Sequence, residues 1–321
     1  MPLDHYVSQV HLKNFYSPAL ANRMMYAIKK SDLKSFQCRS RDVCRIENGS
    51  TNAYLQNDRA IEEFLCVIEP KYNASIAKLR DKNIDDECIF TIAGFVAFVG
   101  CCAPTGMRLQ TPPLQGMLED ATIILDRHGR LPKSPESVDS KSFTELLAEG
   151  AIGFKVDPTF PQAFGIDSII EYVAVFGNST WEILRNTTSD SPFFTSDFPT
   201  TIEDVGPLRP SNKVIPLAPD LAIRILPDPR WVRTTPDLSF THFRYSYPKL
   251  ARAGVVEINR LIVRCAEDMI FYRDNYKWIS DFVAKNRHSL LETIVTRVPE
   301  GDSIVSFSKG QIVPHQHNNG G

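Results

Sequence analysis

Fourteen consecutive residues, Ile89-Phe90-Thr91-Ile92-Ala93-Gly94-Phe95-Val96-Ala97-Phe98-Val99-Gly100-Cys101-Cys102, are apolar almost all round, and this run restricts the fold more than any other stretch. It falls short of the roughly 18 residues that a bilayer span needs. A helix without a polar face has to be enclosed by other elements, so the run is expected to be a buried helix at the centre of the core. Its ends are marked. Asp85-Asp86-Glu87 complements the positive end of a helix, and Pro104 stops the helix before it.

Enclosing such a helix takes a large hydrophobic complement, and 321 residues of which 43% are hydrophobic and 23% charged supply one. Lys plus Arg (36) nearly balances Asp plus Glu (38), so no strong global field draws the chain to nucleic acid or to an anionic membrane; only a local basic patch is left for nucleic acid. Met1-Pro2-Leu3-Asp4-His5 lacks the basic leader and apolar run of a secretory signal. The seven cysteines are an odd number without a C-x-x-C pair, which fits neither a disulfide framework nor a zinc site of familiar spacing. The expected compartment is the reducing cytoplasm. The sequons at Asn48, Asn73, Asn178 and Asn186 then read as coincidences.

Periodicity gives a mixed order of elements. A short helix is expected over 8–15, with His5 and Tyr6 extended before it, then a strand at 24–28 and one or two more over 36–46. From 58 the period is helical: Ile61, Phe64, Leu65, Ile68, Tyr72, Ile76 and Leu79 recur at three and four residues, with Pro70 bending or splitting the helix. Further helices are expected over 118–125, 142–149 and 166–184, with a loop at 129–140. The segments 193–195, 214–217 and 221–225 suit an antiparallel meander, and 227–248 a long exposed excursion. A helix is expected over 250–272 and a disordered tail over 314–321. The expected fold is α+β: a helical layer around the buried helix, packed on a mixed or antiparallel sheet from N-terminal and C-terminal strands, as one domain over 1–313.

Several polar residues stand in core-forming segments. In His5-Tyr6-Val7-Ser8-Gln9-Val10-His11, His5 and Gln9 either face a cleft, with His5 as base or metal ligand, or satisfy buried main-chain groups. His11 lies on another face, assigned to surface or packing. Glu62 and Glu69 are seven residues apart on one helical stretch, an arrangement used by carboxylate sites, against which stands a solvated stripe that includes Glu63. Ser196-Asp197 follows an apolar strand and precedes Pro199, where an aspartate holds a metal or orients a histidine, or where both side chains simply make a turn. Asn259 and Arg260 interrupt an apolar helical face. Arg260, Arg264 and Arg108 are each suited to binding phosphate or carboxylate, or to an internal ion pair.

The opening motif, Ile61-Glu62-Glu63-Phe64-Leu65 with Ile68-Glu69, Trp181 with Phe193-Phe194-Thr195-Ser196-Asp197-Phe198-Pro199, Pro216-Leu217-Ala218-Pro219 and Glu257-Ile258-Asn259 together resemble the bacterial family catalogued as domain of unknown function 4238. The resemblance runs from His5 to about Arg273 and implies no established activity. The chain departs from it twice: Ser8 stands where the family's opening, similar to His-Tyr-Val-Pro-Gln, has proline, and Phe198 takes a polar position in the Ser-Asp-Asn-Pro type of turn.

No P-loop, G-x-G-x-x-G after a strand, flavin signature, H-E-x-x-H, EF-hand loop or G-x-S-x-G around Ser196 is present. Two functions are therefore expected. In the first, His5, Gln9, Glu69, Ser196, Asp197 and Asn259 hydrolyse a phosphodiester in a nuclease-like enzyme of bacterial defence or toxin type; a divalent cation on His5, Glu69 and Asp197 is an option, and Arg108, Arg260 and Arg264 bind the substrate. In the second, the chain is a non-catalytic binding or interaction module whose polar motifs form a structural network.

Overall fold

The N-terminal alternation of apolar and polar residues builds two small sheets rather than one. The computed structural model describes residues 3–21, 23–132, 141–206, 209–228, 235–301 and 303–315, and is α+β as expected. Strand β1 (Leu3–His5) leads through Ser8 into helix α1 (Gln9–Lys13). The helix starts one residue later than expected, because Ser8 is extended and caps it only through its main chain. Strands β2 (Met25–Lys29) and β3 (Ser35–Cys38) pair antiparallel, whereas β4 (Arg45–Glu47) pairs with β1.

Helices α2 (Ala60–Ile68) and α3 (Tyr72–Asp81) are separated by the 3₁₀ turn Glu69–Lys71 at Pro70, the break its missing amide predicts. Helix α4 (Asp86–Cys102) is the apolar run; thirteen of its seventeen residues are buried, and Asp85 caps it by accepting the Cys88 amide at 2.9 Å. Extended Ala103 turns the chain by 68° into α5 (Pro104–Arg127). This helix is far longer than the expected 118–125 and runs through Pro112-Pro113. A proline removes the donor for the carbonyl four residues earlier, and the Leu109 carbonyl freed by Pro113 accepts the Thr293 hydroxyl at 2.7 Å instead. Helices α6 (Phe143–Ala148), α7 (Phe160–Asp167) and α8 (Ile169–Gly177) follow, α6 opened by a Ser142/Glu145 capping box. The helix expected over 166–184 ends at Gly177, and its second half is β5 (Thr180–Arg185), where Trp181 and Ile183 alternate into the core.

Strands β6 (Thr195–Ser196), β7 (Thr201–Glu203), β8 (Asn212–Ala218), β9 (Leu221–Leu226) and β10 (Arg244–Ser246) come next. Helix α9 (Arg252–Cys265) stops short of the expected 272, and Met269–Tyr272 is strand β11. Helix α10 (Trp278–Asn286) and a hairpin of β12 (Ser289–Glu300) and β13 (Ser303–Pro314) complete the described chain. The excursion at 227–248 contributes β10, which adds in parallel to β5; residues 229–234 lie outside the described residues, as do 133–140 of the expected loop and 316–321 of the expected tail. Pro314 belongs to β13, not to a tail.

The strands order as β3-β2-β11-β6 in one sheet and β10-β5-β9-β8-β7 in another, so N-terminal β2 and β3 share a sheet with β6 and C-terminal β11 as expected, while the 214–225 part of the meander belongs to the other sheet. Residues Trp181, Ile183, Ile215, Leu217, Ile223 and Ile225 face the α4 layer. On the other side, Leu184, Val214 and Ala222 meet Val255, Ile258 and Ile262 of α9, whose apolar stripe also touches Ile28 and Ile270 of the first sheet. Helix α9 is thus held between two sheets. Leu12 and Phe15 cover the far face of the first sheet at Met25, Ala27 and Phe271. Among the described residues no single helix is long and apolar enough to cross a membrane.

The α4–α5 corner has no spare space: a Cβ built on Gly106 would stand 2.2 Å from the Gly100 carbonyl oxygen, whereas one on Gly153 would meet nothing within 4 Å. In urea denaturation, Gly106→Ala is expected to lose about 3 kcal/mol or more, and Gly153→Ala to stay within about 1 kcal/mol of the wild type.

Candidate functional site

Asp197 follows β6 directly and is buried, so its carboxylate needs partners from the protein. It has three. The amides of Glu267, Asp268 and Met269, at the end of α9 and the start of β11, donate to it at 3.0, 2.8 and 2.8 Å, while its own amide donates to the Met269 carbonyl at 3.0 Å. Burial pushes its carboxyl up to about 6, against the pull of the three amides. The Ser196 hydroxyl accepts the Phe198 amide at 3.2 Å and closes the turn. Asn259, buried in the middle of α9, accepts the Phe194 amide and donates to the Pro192 carbonyl, both at 2.9 Å. Each of these three candidates is engaged with main chain.

The other candidates surround the start of α1. Ser8 donates to Glu69 at 2.5 Å, and Ser40 donates to Gln9 at 3.2 Å. The half-buried imidazole of His5 faces the main chain of Ser40 and Arg41; burial and Arg45 lower its pKa while Glu69 acts the other way. Its Nε2 is shielded from solvent and has no hydrogen-bond partner among the described residues. Glu62 is paired with Arg59 at 2.6 Å and Glu63 accepts from Asn57 at 2.8 Å, both away from Glu69. Between the two groups, the Tyr6 phenol bonds to the Cys44 thiol in the field of Asp197 and Glu267. Among the described residues no three His, Cys, Asp or Glu side chains are grouped to hold a metal, so His5, Glu69 and Asp197 do not form the trio a cation would need.

Sequence reasoning underrated His11, which is fully buried. Its Nδ1 meets the Tyr72 hydroxyl and its Nε2 the Thr195 hydroxyl, each at 2.8 Å, and the ring stacks on Phe95 with centroids 4.8 Å apart. It ties α1, α3, α4 and β6 together. Burial drives its pKa down to about 3, so it is neutral. A second missed residue is buried Lys30, whose ammonium donates to the carbonyls of Ala266 at 2.6 Å and Ser289 at 2.9 Å; burial lowers its pKa to about 8.

The three arginines do not converge. Arg108 is clamped by Glu267 at 2.8 Å, Glu292 at 2.9 Å and the Leu291 carbonyl at 2.9 Å. Arg260 pairs with Glu257 on the same helix, and the Arg264 carbonyl accepts from Lys30, its side chain having no hydrogen-bond or ion-pair partner among the described residues.

Unspent polar groups lie elsewhere. A cavity of about 190 Å³ opens beside the C-terminal half of α4, walled by Val96, Ala97, Gly100 and Cys101, by Gly106, Leu109 and Gln110 of α5, by Tyr172 and Phe176 of α8, by Phe198 and Thr200, and by Lys213 of β8. Lys213 shares the inward face of its strand with Ile215 and Leu217, and it has no hydrogen-bond or ion-pair partner among the described residues. Burial pulls its ammonium below the usual lysine range. The Thr200 hydroxyl and the Gln110 carbonyl oxygen are buried and without partners among the described residues. The signal in the sequence was a lysine at an inward position of an apolar strand.

The neutral His11 gives a pH dependence. An unfolded chain takes up a proton on this residue near pH 6.5 and the folded chain only near 3, so folding stability falls as pH drops through that window, at up to about 1.4 kcal/mol per unit. In urea denaturation, the stability advantage of the wild type over His11→Gln should shrink by about 2.5 kcal/mol between pH 7 and pH 4.5.

A family described as "Protein of unknown function (DUF4238)" matches residues 4–275, which include α1, α4, β6, β8, α9 and β11 and stop before α10 and the β12–β13 hairpin. No curated protein and no solved structure matches the chain. With most of its length matched, from the β1 strand to the end of β11, the chain belongs to the DUF4238 family.

Proposed function

We propose that this chain is a non-catalytic binding protein whose motif residues are internal architecture and whose ligand site is the cavity beside α4. One observation carries the reading. The oxygens of Asp197 and both polar ends of Asn259 are occupied by main-chain groups, whereas Lys213, Thr200 and Gln110 face a cavity with hydrogen-bonding capacity unspent. Work on a phosphodiester would require Asp197 to abandon three amides, each left unpaired in the interior at a cost of about 1–3 kcal/mol. A nucleic-acid contact through Arg108 or Arg260 would likewise have to break ion pairs with Glu267, Glu292 or Glu257. Seven free thiols, six of them buried, support a reducing compartment such as the cytoplasm.

The test sets the two functions against each other. Wild type, His5→Ala and Asp197→Asn are incubated with single- and double-stranded nucleic acid and a chromogenic phosphodiester, with Mg²⁺ or Mn²⁺ present, and their melting temperatures are measured. The expected result is no turnover by the wild type and a melting temperature several degrees lower for Asp197→Asn, whose amide presents donors to donors. Metal-dependent cleavage by the wild type, abolished in variants that melt as the wild type does, would reverse the assignment.

A further inference from the structure

The cavity beside α4 has a definite chemical polarity. Its body is hydrocarbon and aromatic, from Val96, Leu109, Phe176 and Phe198. Its polar end holds an ammonium at Lys213 and a hydroxyl at Thr200, and among the described residues no Asp or Glu lines it. The half-buried Lys213 ammonium stands against this apolar wall, where a ligand that brings the opposite charge into contact is favoured over a neutral or cationic one.

Size and charge narrow the ligand. An engineered cavity of about 150 Å³ holds one benzene molecule, so a cavity of about 190 Å³ accommodates a benzene-sized body with a small headgroup attached. One ammonium balances one negative charge. A phosphate dianion would bring a second charge and more acceptor oxygens than one ammonium and one hydroxyl can satisfy, and a cationic ligand would face Lys213 with like charge.

We propose that the cavity binds a small apolar monocarboxylate, with its carboxylate on the Lys213 ammonium and the Thr200 hydroxyl and its hydrocarbon body against Val96, Leu109, Phe176 and Phe198. This inference rests on the reading of the chain as a binding protein and identifies the class of ligand. The Gln110 carbonyl oxygen, which has no partner among the described residues while its amide nitrogen donates to the Gly100 carbonyl at 3.1 Å, faces the same space and favours a ligand that also carries a donor such as a hydroxyl.

The test is isothermal titration calorimetry on the full chain with benzoate, hexanoate and benzamide, the last a neutral counterpart of benzoate. The wild type should bind one benzoate or hexanoate per chain, about tenfold or more tighter than benzamide. Lys213→Met should weaken benzoate about tenfold or more, keep or improve binding of benzamide, and melt at or above the wild-type temperature, because it removes a half-buried charge from an apolar wall. Ala97→Phe, which fills the cavity, should abolish all three while circular dichroism remains that of the wild type. The proposal is overturned if neither carboxylate binds at millimolar concentration, if benzamide binds as tightly as benzoate, or if Lys213→Met binds benzoate as the wild type does. Failure of the binding-protein reading itself would appear separately, as turnover in the phosphodiester assay.

Discussion

Three consecutive amides, those of Glu267, Asp268 and Met269, converge on the carboxylate of Asp197, and the junction of α9 with the β11–β6 edge of the four-stranded sheet depends on that contact. It fixes where α9 ends, because the chain past Cys265 is drawn into an extended path and becomes β11 at the centre of the four-stranded sheet. One turn and a half earlier on α9, Asn259 holds the chain at Pro192 and Phe194 as it leaves the five-stranded sheet. Lys30 closes the arrangement from β2 by binding the carbonyls at the end of α9 and the start of β12. Removing any one partner leaves others unpaired in the interior, so the bonds act as a unit.

His11 performs a related task for the α4 layer. A neutral imidazole offers one donor and one acceptor at fixed directions, which allows a single residue to bond Tyr72 on one side and Thr195 on the other while its face stacks on Phe95. Hydrophobic burial alone holds α4 in place without specifying its partners' positions. The polar pins supply that specification, and the histidine that does so carries no charge at neutral pH.

What was legible in the sequence was what local chemistry decides. The lack of a polar face on 89–102 places α4 in the core, Asp85 and Pro104 bound it, and Pro70 divides α2 from α3. The misplaced elements are those decided at long range. Helix α9 stops because of a carboxylate 70 residues away, and α5 survives Pro112-Pro113 because a hydroxyl 184 residues away takes the freed carbonyl. The site candidates show the same division. Polar residues in apolar segments do mark places where partners are needed, but Asp197 and Asn259 find theirs in the main chain, whereas Lys213, not among the residues singled out in the sequence, lines a cavity with no hydrogen-bond or ion-pair partner among the described residues. Phe198 stands where the family's turn is polar, and here it makes one wall of that cavity.

The central claim is that the Asp197 cluster is sealed architecture, and native-state hydrogen exchange tests it most directly. If the claim is right, the amides of Phe194, Glu267, Asp268 and Met269 exchange only through global unfolding, with the same denaturant dependence as the core of α4. Exchange of these amides through a local opening well below the global unfolding free energy, with the Asp197 carboxylate exposed each time, would contradict it.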